Sequence, residues 1–195
     1  MKSPRKVATI REVAFDMTKT AALLMDLQAD FLGHSGARMP VGEPDASRVI
    51  ETANGVLAGN LLSGSLPILV VNQFPRSAWI GNFFRHGAAI AGTPGAMLDE
   101  RVHVEPGVKV LPKQSPSAFS NHELEPYLRS RGVTTLYVLG VFAEGCVRAT
   151  AVDGRQHGFD VVVPLDAIGT NSETKRRFAH WAMRRAGVIL VRSVP

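Results

Sequence analysis

The stretch from residue 132 to residue 163, GVTTLYVLGVFAEGCVRATAVDGRQHGFDVVV, contains the pattern that decides the fold. The apolar run at residues 135–141 predicts a buried strand, and residues 145–157 predict a helix that ends at Gly158. Residues 159–163 predict a second strand. Glycine readily adopts the left-handed conformation that ends a helix. Strands that are apolar throughout indicate a sheet covered on both faces, which is typical of parallel sheets flanked by helices.

The same alternation extends over most of the chain. Further strands are predicted at residues 21–25, 66–71, 108–111 and 188–191, and further helices at residues 45–62, 123–131 and 173–186. The alternation predicts an α/β protein, a single three-layer (α/β/α) Rossmann-like domain with a mostly parallel central sheet. We interpret residues 1–19 as an N-terminal tail and residues 20–195 as the domain. Residues 72–107, rich in Gly, Pro and aromatic residues, are predicted to form a long functional loop with short helices, either a lid or an interface.

The composition limits the function classes. The 195 residues are 45% hydrophobic and 20% charged, which suits one folded domain. The net charge of +5 leaves nucleic-acid binding open, but the basic clusters at residues 175–177 and 184–185 lack interleaved aromatic residues, so we predict no nucleic-acid partner. The basic clusters are Lys2, Arg5, Lys6 and Arg11 in the tail, Lys175, Arg176 and Arg177, and Arg184 and Arg185.

The single cysteine, Cys146, excludes an intramolecular disulfide and a metal site built from several cysteines. No segment approaches the roughly 18 apolar residues of a membrane helix, and the first twenty residues lack the apolar stretch of a secretory signal. We therefore predict a cytoplasmic protein without a membrane partner.

Three reactive side chains follow predicted strands. Asp26 comes directly after the first strand, Lys113 after the strand at residues 108–111, and Cys146 shortly after the strand at residues 135–141. Ligands of open parallel sheets bind beyond the carboxyl ends of the strands, so the three are expected at one edge. Taken singly, each has a structural interpretation: a buried thiol, a turn residue or a solvated amine. The pattern alone leaves both interpretations open.

Three short segments around these residues also resemble the motifs of a known protein family. Residues 140–150, GVFAEGCVRAT, resemble the nucleophile segment of the isochorismatase-like cysteine hydrolases, a superfamily that includes nicotinamidases and carbamoylsarcosine amidohydrolases. Residues 24–31, LMDLQADF, are similar to its first-strand motif, D-x-Q-x-D-F. Lys113, followed by SAF at residues 117–119, is similar to its lysine segment. The resemblance extends from about residue 20 to the C-terminus.

The resemblance implies a catalytic triad of Asp26, Lys113 and Cys146 that cleaves a C–N bond of a small amide, ureido or carbamoyl compound through a thioester. Asp26 would act as the base, and Lys113 would orient it. Lys113 and a helix N-terminus are expected to favour ionisation of the thiol, with fast alkylation well below pH 8. The resemblance also implies an oxyanion hole made by the backbone N–H groups of Phe142 and Cys146, and a cis peptide bond between Val141 and Phe142.

The substrate pocket is predicted from side chains in or beside the motifs: Phe31, Gln73, Trp79 and Phe119. Asn72 is a further candidate for a hydrogen bond to a carbonyl or ureido group, and Arg76 or Arg85 for pairing with a carboxylate. Nicotinamidases carry an Asp-x-His metal site after their second strand, whereas VNQFP at residues 71–75 has neither residue. We therefore expect no metal and no cofactor, and an activity other than nicotinamidase.

The expected partner is a small-molecule amide, and the resemblance implies a homo-oligomer, either a dimer or a tetramer. Three alternatives stay open. The first is a catalytically inactive α/β binding or scaffold protein, in which Cys146 is unreactive. The second is an isochorismatase-type vinyl-ether hydrolase, whose chemistry does not need a cysteine. The third is a nucleic-acid-associated protein, which the basic tail suggests and salt-sensitive binding would reveal.

Overall fold

The structure is a computed structural model that describes residues 15–33 and 36–195. Most of the predicted N-terminal tail, including its basic cluster, lies outside the described residues. The strands are β1 (Thr20–Met25), β2 (Leu66–Asn72), β3 (Lys109–Lys113), β4 (Thr135–Val141), β5 (Asp160–Pro164), β6 (Ile168–Gly169) and β7 (Ile189–Val191). The helices are α1 (Ala29–Leu32), α2 (Asp45–Leu57), α3 (Trp79–Phe84), α4 (Leu124–Ser130), α5 (Arg148–Gln156) and α6 (Glu173–Arg185).

The strands form one sheet in the order β3-β2-β1-β4-β5-β7, with β6 paired to the end of β4. Every strand pairing among the described residues is parallel. Because the chain runs outward from β1 to β3 and then returns to β4, the order reverses between β1 and β4. This reversal creates a crevice at the carboxyl edge in the middle of the sheet.

Both faces of the sheet are covered. Alternate residues of β1 belong to different cores: Ala22 and Leu24 pack with α2, whereas Leu23 and Met25 pack on the face that also holds α4, α5 and α6. Every residue of β1 and β4 is buried. Fully burying an aliphatic side chain stabilises the folded state by roughly 1.5–3 kcal/mol, so these fully buried central strands contribute strongly to the stability of the fold. The predicted three-layer fold with a mostly parallel sheet is confirmed.

The glycine stops are confirmed where three helices turn into strands. Gly132, Gly158 and Gly187 have φ angles of 68°, 81° and 79°. The helix predicted over residues 45–62 is shorter and ends at Leu57, because the following turn carries Gly59 at a φ of 74°. Within the described part of the chain, no helix has the length and apolarity needed to cross a bilayer.

The loop at residues 72–107 contains α3 and a short turn at Pro94–Ala96. One isolated bridge, between Gln28 and Leu98, holds it to the rest of the molecule, and a second, between Phe74 and Ile90, joins two parts of the loop itself. These contacts bring the loop over the carboxyl ends of β1 and β2. The prediction of a loop with short helices is confirmed.

Candidate active site

The three predicted residues meet at the crevice between β1 and β4. The Nζ of Lys113 lies 3.1 Å from Asp26 Oδ2 and 3.2 Å from Cys146 Sγ. It also donates a hydrogen bond of 2.6 Å to Asn72 Oδ1. The ammonium therefore joins the ends of β1, β2 and β3 to the segment after β4, as the strand order requires.

Lys113 is held as a buried cation. Its side chain is 0% exposed, and that of Asp26 is 1% exposed. Burial lowers the pKa of Lys113, but the neighbouring Asp26 and Cys146 outweigh it, so that the pKa lies above its ordinary value. A buried ammonium needs an anionic partner, and Asp26 supplies it.

Asp26 combines an unusual backbone with an incompletely bonded carboxylate. Its φ is 56°, a left-handed conformation that non-glycine residues rarely adopt and that often occurs at functional sites. Its Oδ1 is buried and has no hydrogen-bond partner among the described residues. Burial raises the pKa of Asp26, although Lys113 opposes the shift. The carboxylate is thus suited to accept a proton on Oδ1.

Cys146 is partly exposed at the wall of the cavity. Burial and the neighbouring Asp26 carboxylate raise its pKa to about 12, against the opposing effect of Lys113. The expectation that the free protein favours ionisation is therefore wrong. Burial first, and then the Asp26 carboxylate, disfavour a second anion here, so the neutral thiol is the favoured form.

The segment that carries Cys146 is less regular than predicted. Residues Ala143–Val147 form a wide π-helical turn, with Gly145 at φ −101° and ψ −108°, and the regular helix begins only at Arg148. The Val141–Phe142 peptide bond is cis, in agreement with the prediction. Phe142 and Cys146, the two predicted oxyanion donors, line the same cavity.

A close approach between β1 and β4 supports this geometry. Gly140 pairs with Met25, the residue before Asp26, and has a φ of 113°. A Cβ at position 140 would lie 2.2 Å from the carbonyl oxygen of Met25. Only glycine permits this contact, which places the end of β4 directly against the residue that precedes the carboxylate.

Gln28 positions the site in a way that our sequence analysis did not predict. Its Nε2 donates to the carbonyl oxygens of Asn72 and Ala96 at 2.9 and 2.7 Å, and its Oε1 accepts from the N–H of Asn72 at 2.8 Å. Asn72 in turn holds Lys113, so its Oδ1 is engaged by protein and not by substrate as we had suggested. The signal in the sequence was the third position of the D-x-Q-x-D-F motif.

Asp30, two residues further along the same motif, anchors the long loop. Its buried carboxylate accepts hydrogen bonds from the N–H of Ala89 at 2.9 Å and of Arg38 at 3.4 Å. Gly95 packs so tightly against this carboxylate that a Cβ there would lie 2.1 Å from Oδ2. The motif thus supplies one reactive group and two side chains that fix its surroundings.

The cavity beside Cys146 has a volume of about 310 Å³. The residues that line it are Asp26, Phe31, Met39, Asn72, Phe74, Arg85, Gln114, Ser115, Pro116, Phe142, Glu144, Gly145 and Cys146. Phe31 is there as predicted, and its ring meets that of Phe142 edge-on at 5.7 Å. The mixture of aromatic and polar side chains suits a small organic ligand.

The other three predicted pocket residues do not line this cavity. Trp79 begins α3 and is 74% exposed. Phe119 stacks instead on the ring of His157, with centroids 4.5 Å apart. Gln73 directly follows β2, is half-buried and is not among the residues that line the cavity. The structure therefore does not bring these three side chains to the cavity beside Cys146, because nearness in sequence to a motif does not determine side-chain direction.

Two charged residues complete the wall. Glu144 accepts a hydrogen bond from Thr170 Oγ1 at 2.7 Å and lies 3.5 Å from the Nζ of Lys175. Arg85 lines the cavity, whereas Arg76, the other arginine considered for a carboxylate, is exposed and does not line it.

The described residues offer no zinc-type ligand set. Asn72 ends β2 and Gln73 and Phe74 follow it, and none of them is a carboxylate or an imidazole. Within residues 15–33 and 36–195, no group of three or more His, Cys, Asp and Glu side chains is placed to hold a metal ion. The side chains at this edge do not fit a metal site.

Comparison with known sequences gives consistent matches. The Isochorismatase domain matches residues 20–193. Maleamate amidohydrolase of Pseudomonas putida is 34% identical over 160 residues, which cover 77% of this chain and 72% of that protein. A streptothricin hydrolase of Streptomyces noursei is 33% identical over 77% of this chain, but the match spans only 49% of the longer relative.

Solved structures agree with the fold. PnC1 from L. infantum, in complex with nicotinate, has a TM-score of 0.80 at 26% identity and covers 92% of this chain and 95% of its own. The pyrazinamidase of Pyrococcus horikoshii, in complex with zinc, has a TM-score of 0.77 at 28% identity and covers 89% and 98%. The architecture is shared over nearly the whole of each chain.

Proposed function

The chain belongs to the isochorismatase family, and from this premise we propose that it is a cysteine-dependent amidohydrolase. The reaction is hydrolysis of a C–N bond, other than a peptide bond, in a small amide, ureido or carbamoyl compound. The relatives named maleamate amidohydrolase and N-carbamoylsarcosine amidase support this reaction class. Asp26, Lys113 and Cys146 are the proposed triad.

One observation carries the proposal. The Nζ of Lys113 is within hydrogen-bonding distance of both Asp26 and Cys146, beside a cavity that Cys146 lines. A buried ion pair can often be replaced as a whole by apolar residues without loss of stability, so stability alone does not account for Asp26 and Lys113 here. An acid, an ammonium and a thiol in mutual contact are the groups that acyl transfer through a covalent intermediate needs.

The first step is attack by sulfur on the substrate carbonyl. Asp26 Oδ1 takes the thiol proton as the S–C bond forms and the carbonyl electrons move to oxygen. Burial makes this carboxylate a stronger base than an exposed one, and the Lys113 ammonium stabilises the developing thiolate. The neutral thiol at rest fits this order of events, because ionisation is needed only when substrate is bound.

The tetrahedral intermediate carries its negative charge on the former carbonyl oxygen. We assign the backbone N–H groups of Phe142 and Cys146 as the donors that stabilise it. Loss of one such donor in a comparable site costs roughly 2.7–4 kcal/mol of transition-state stabilisation. Both residues line the same cavity, Phe142 directly before the wide turn at Ala143–Val147 and Cys146 within it, which supports this assignment.

The second half of the reaction restores the protein. The proton held by Asp26 passes to the leaving nitrogen as the C–N bond breaks, which releases ammonia or an amine and leaves a thioester. Asp26 then takes a proton from water, the oxygen attacks the thioester, and the S–C bond breaks. The proton returns to sulfur, so the sum of the two steps is amide plus water giving acid plus ammonia or amine.

Ammonia release from a panel of small amides, ureas and carbamoyl compounds tests the proposal. The wild type is expected to hydrolyse at least one member, and Cys146→Ala to lose at least about a thousandfold in kcat, since no other thiol is present. Unchanged ammonia release from Cys146→Ala would reject the nucleophile.

Two alternatives are separated by the same panel. An inactive scaffold would release no ammonia from any compound in either form of the protein. A vinyl-ether hydrolase would release no ammonia but would cleave an enol-ether substrate, and Cys146→Ala would retain that activity.

A further inference from the structure

Arg85 is built into the cavity wall as a rigid cation. It lies directly after α3, and its guanidinium stacks on the ring of Phe74 at 3.6 Å. Its Nη2 donates a hydrogen bond of 2.9 Å to Asn82 Oδ1, and the buried Asn82 is fixed in turn by the carbonyl oxygen of Pro75. The side chain is therefore oriented before any ligand arrives.

The hydrogen-bonding capacity of this guanidinium is mostly unused. Arginine carries five N–H donors, and the Nε of Arg85 is buried without a hydrogen-bond partner among the described residues. No carboxylate within residues 15–33 and 36–195 forms an ion pair with it. Burial lowers the pKa of Arg85, which is the expected effect on a cation that lacks a counter-ion.

The other charges at the cavity are already paired. Asp26 faces the Lys113 ammonium at 3.1 Å, and Glu144 lies 3.5 Å from the ammonium of Lys175. Arg85 is thus left as an uncompensated positive charge in a wall that also carries Cys146. An anionic group on the ligand would complete both the charge balance and the hydrogen bonds of the guanidinium.

We propose that Arg85 binds a carboxylate on the substrate, so that this protein prefers small amides that carry a carboxylate over neutral amides. The inference rests on the proposed function, because it assigns the substrate class of the same site. A cavity of about 310 Å³ suits a small amide of this kind. Monoamides of short dicarboxylic acids and N-carbamoyl amino acids share this chemistry, and Arg85 is a specificity-determining residue for both.

The test compares substrates of equal size that differ in charge. Ammonia release is measured for succinamate and for 4-methylpentanamide, in which an isopropyl group replaces the carboxylate, and N-carbamoylglycine represents the ureido acids. The wild type is expected to favour succinamate or N-carbamoylglycine over the neutral amide by at least about 30-fold in kcat/KM, mainly through KM. Equal rates with succinamate and its neutral counterpart would overturn the inference.

Variants show whether the preference depends on Arg85. Arg85→Gln is expected to lower kcat/KM for the carboxylate substrate by about 30-fold or more and to leave the neutral amide within about threefold, with Arg85→Lys intermediate. Arg76→Gln removes a nearby exposed arginine and serves as the matched control, with no change for either substrate. An equal loss for both substrates in Arg85→Gln would mean a structural role and would reject the inference.

Binding to a protein without the nucleophile separates this inference from the proposed reaction. In the Cys146→Ala background, calorimetry is expected to detect succinamate binding that Arg85→Gln weakens by about the same factor. If that binding is observed while the wild type hydrolyses no amide, the carboxylate site stands and the proposed hydrolase fails. If hydrolysis is observed without a preference for the carboxylate substrate, the proposed hydrolase stands and the carboxylate site fails.

Discussion

At the scale of single residues, the chemistry depends on which atom holds the proton of Cys146. The thiol lies beside an anion and a cation, and its pKa of about 12 shows that burial and Asp26 together exceed the effect of Lys113. At pH 8 the neutral thiol is then the favoured form, because a raised pKa disfavours the thiolate. The ion pair of Asp26 and Lys113 therefore favours proton transfer from the thiol during the reaction and does not keep Cys146 ionised beforehand.

The effect of Asp26 on the thiol proton of Cys146 predicts that Asp26→Asn speeds alkylation of the thiol and slows ammonia release. In Asp26→Asn, the negative charge that raises the pKa of Cys146 is absent while Lys113 stays, so the thiol pKa falls. Alkylation by iodoacetamide at pH 7.5 is expected to become about tenfold faster than in the wild type. Ammonia release is expected to fall by about 10²–10⁴-fold, because the base is lost.

The alkylation profile of the wild type gives a second readout of the same relationship. Its rate is expected to keep rising above pH 9, because a group with a raised pKa ionises only as the pH approaches that value. Asp160→Asn, a change at an exposed carboxylate, serves as the control and leaves both rates unchanged. Slower alkylation in Asp26→Asn than in the wild type would contradict the proposed coupling.

At the scale of elements, the site depends on how closely β4 approaches β1. Gly140 occupies the point of contact, with a φ of 113° and no space for a Cβ. The strand pairing from Thr20 to Met25 brings Asp26 to the crevice, and the cis bond at Val141–Phe142 and the wide turn then lead the chain to Cys146. Gly140 thus contacts the residue before Asp26 and lies on the strand that leads to Cys146.

Gly140→Ala is therefore expected to damage stability and activity together. The added Cβ would meet the backbone of Met25, so the two strands must separate, and a free energy of unfolding lower by about 2–4 kcal/mol is expected. Urea denaturation measures the loss, and ammonia release from the best substrate is expected to fall more than tenfold because Asp26 moves.

Gly42→Ala is the matched control for this substitution. A Cβ at position 42 would have no neighbour within 4 Å, and Gly42 is not among the glycines at positive φ. Its unfolding free energy and activity are expected to match those of the wild type. Equal stability of Gly140→Ala and Gly42→Ala would show that the contact between β1 and β4 relaxes without cost.

At the scale of the whole molecule, a polar network joins elements that are far apart in sequence. Asp45, at the start of α2, forms ion pairs of 2.5 Å with Arg48 and with Arg176 of α6. It also accepts a hydrogen bond of 3.0 Å from the N–H of Thr170, whose hydroxyl donates to Glu144 at the cavity. The network connects both helical layers to the turn that carries Cys146.

Asp45→Ala is expected to destabilise the fold by about 2–4 kcal/mol, because two partly buried arginines lose their shared anion. Urea denaturation measures this loss. Glu51→Ala, an exposed carboxylate of the same helix, is the control and is expected to change stability by less than about 0.5 kcal/mol. A loss for Asp45→Ala no larger than that of the control would show that the network does not stabilise the fold.

The assembly and partners of the chain stay predictions at this scale. A homodimer or tetramer is expected from the family resemblance, and sedimentation would test it. The absence of a nucleic-acid partner also stays a prediction, which salt-dependent filter binding would test.

The sequence by itself determined the order of the main elements, the parallel sheet and the three residues that meet at its edge. Unbroken apolar strands and glycine stops are local features, and their physical cause acts over a few residues. Asp26, Lys113 and Cys146 were identifiable for the same reason: each follows a strand, and parallel strands end at one edge. The D-x-Q-x-D-F motif added Gln28 without revealing its role.

Tertiary structure alone decided what surrounds those residues. Contacts between segments distant in sequence raise the pKa of Cys146 and let Gln28 hydrogen-bond to Asn72. The same kind of contact brings Arg85 into the cavity and leaves Trp79 and Phe119 outside it. Burial and charge depend on which side chains face one another in space, and the loop at residues 72–107 has no periodic pattern that reports this. Local sequence therefore specified the reactive groups, whereas the packing of that loop against the sheet edge specified their environment.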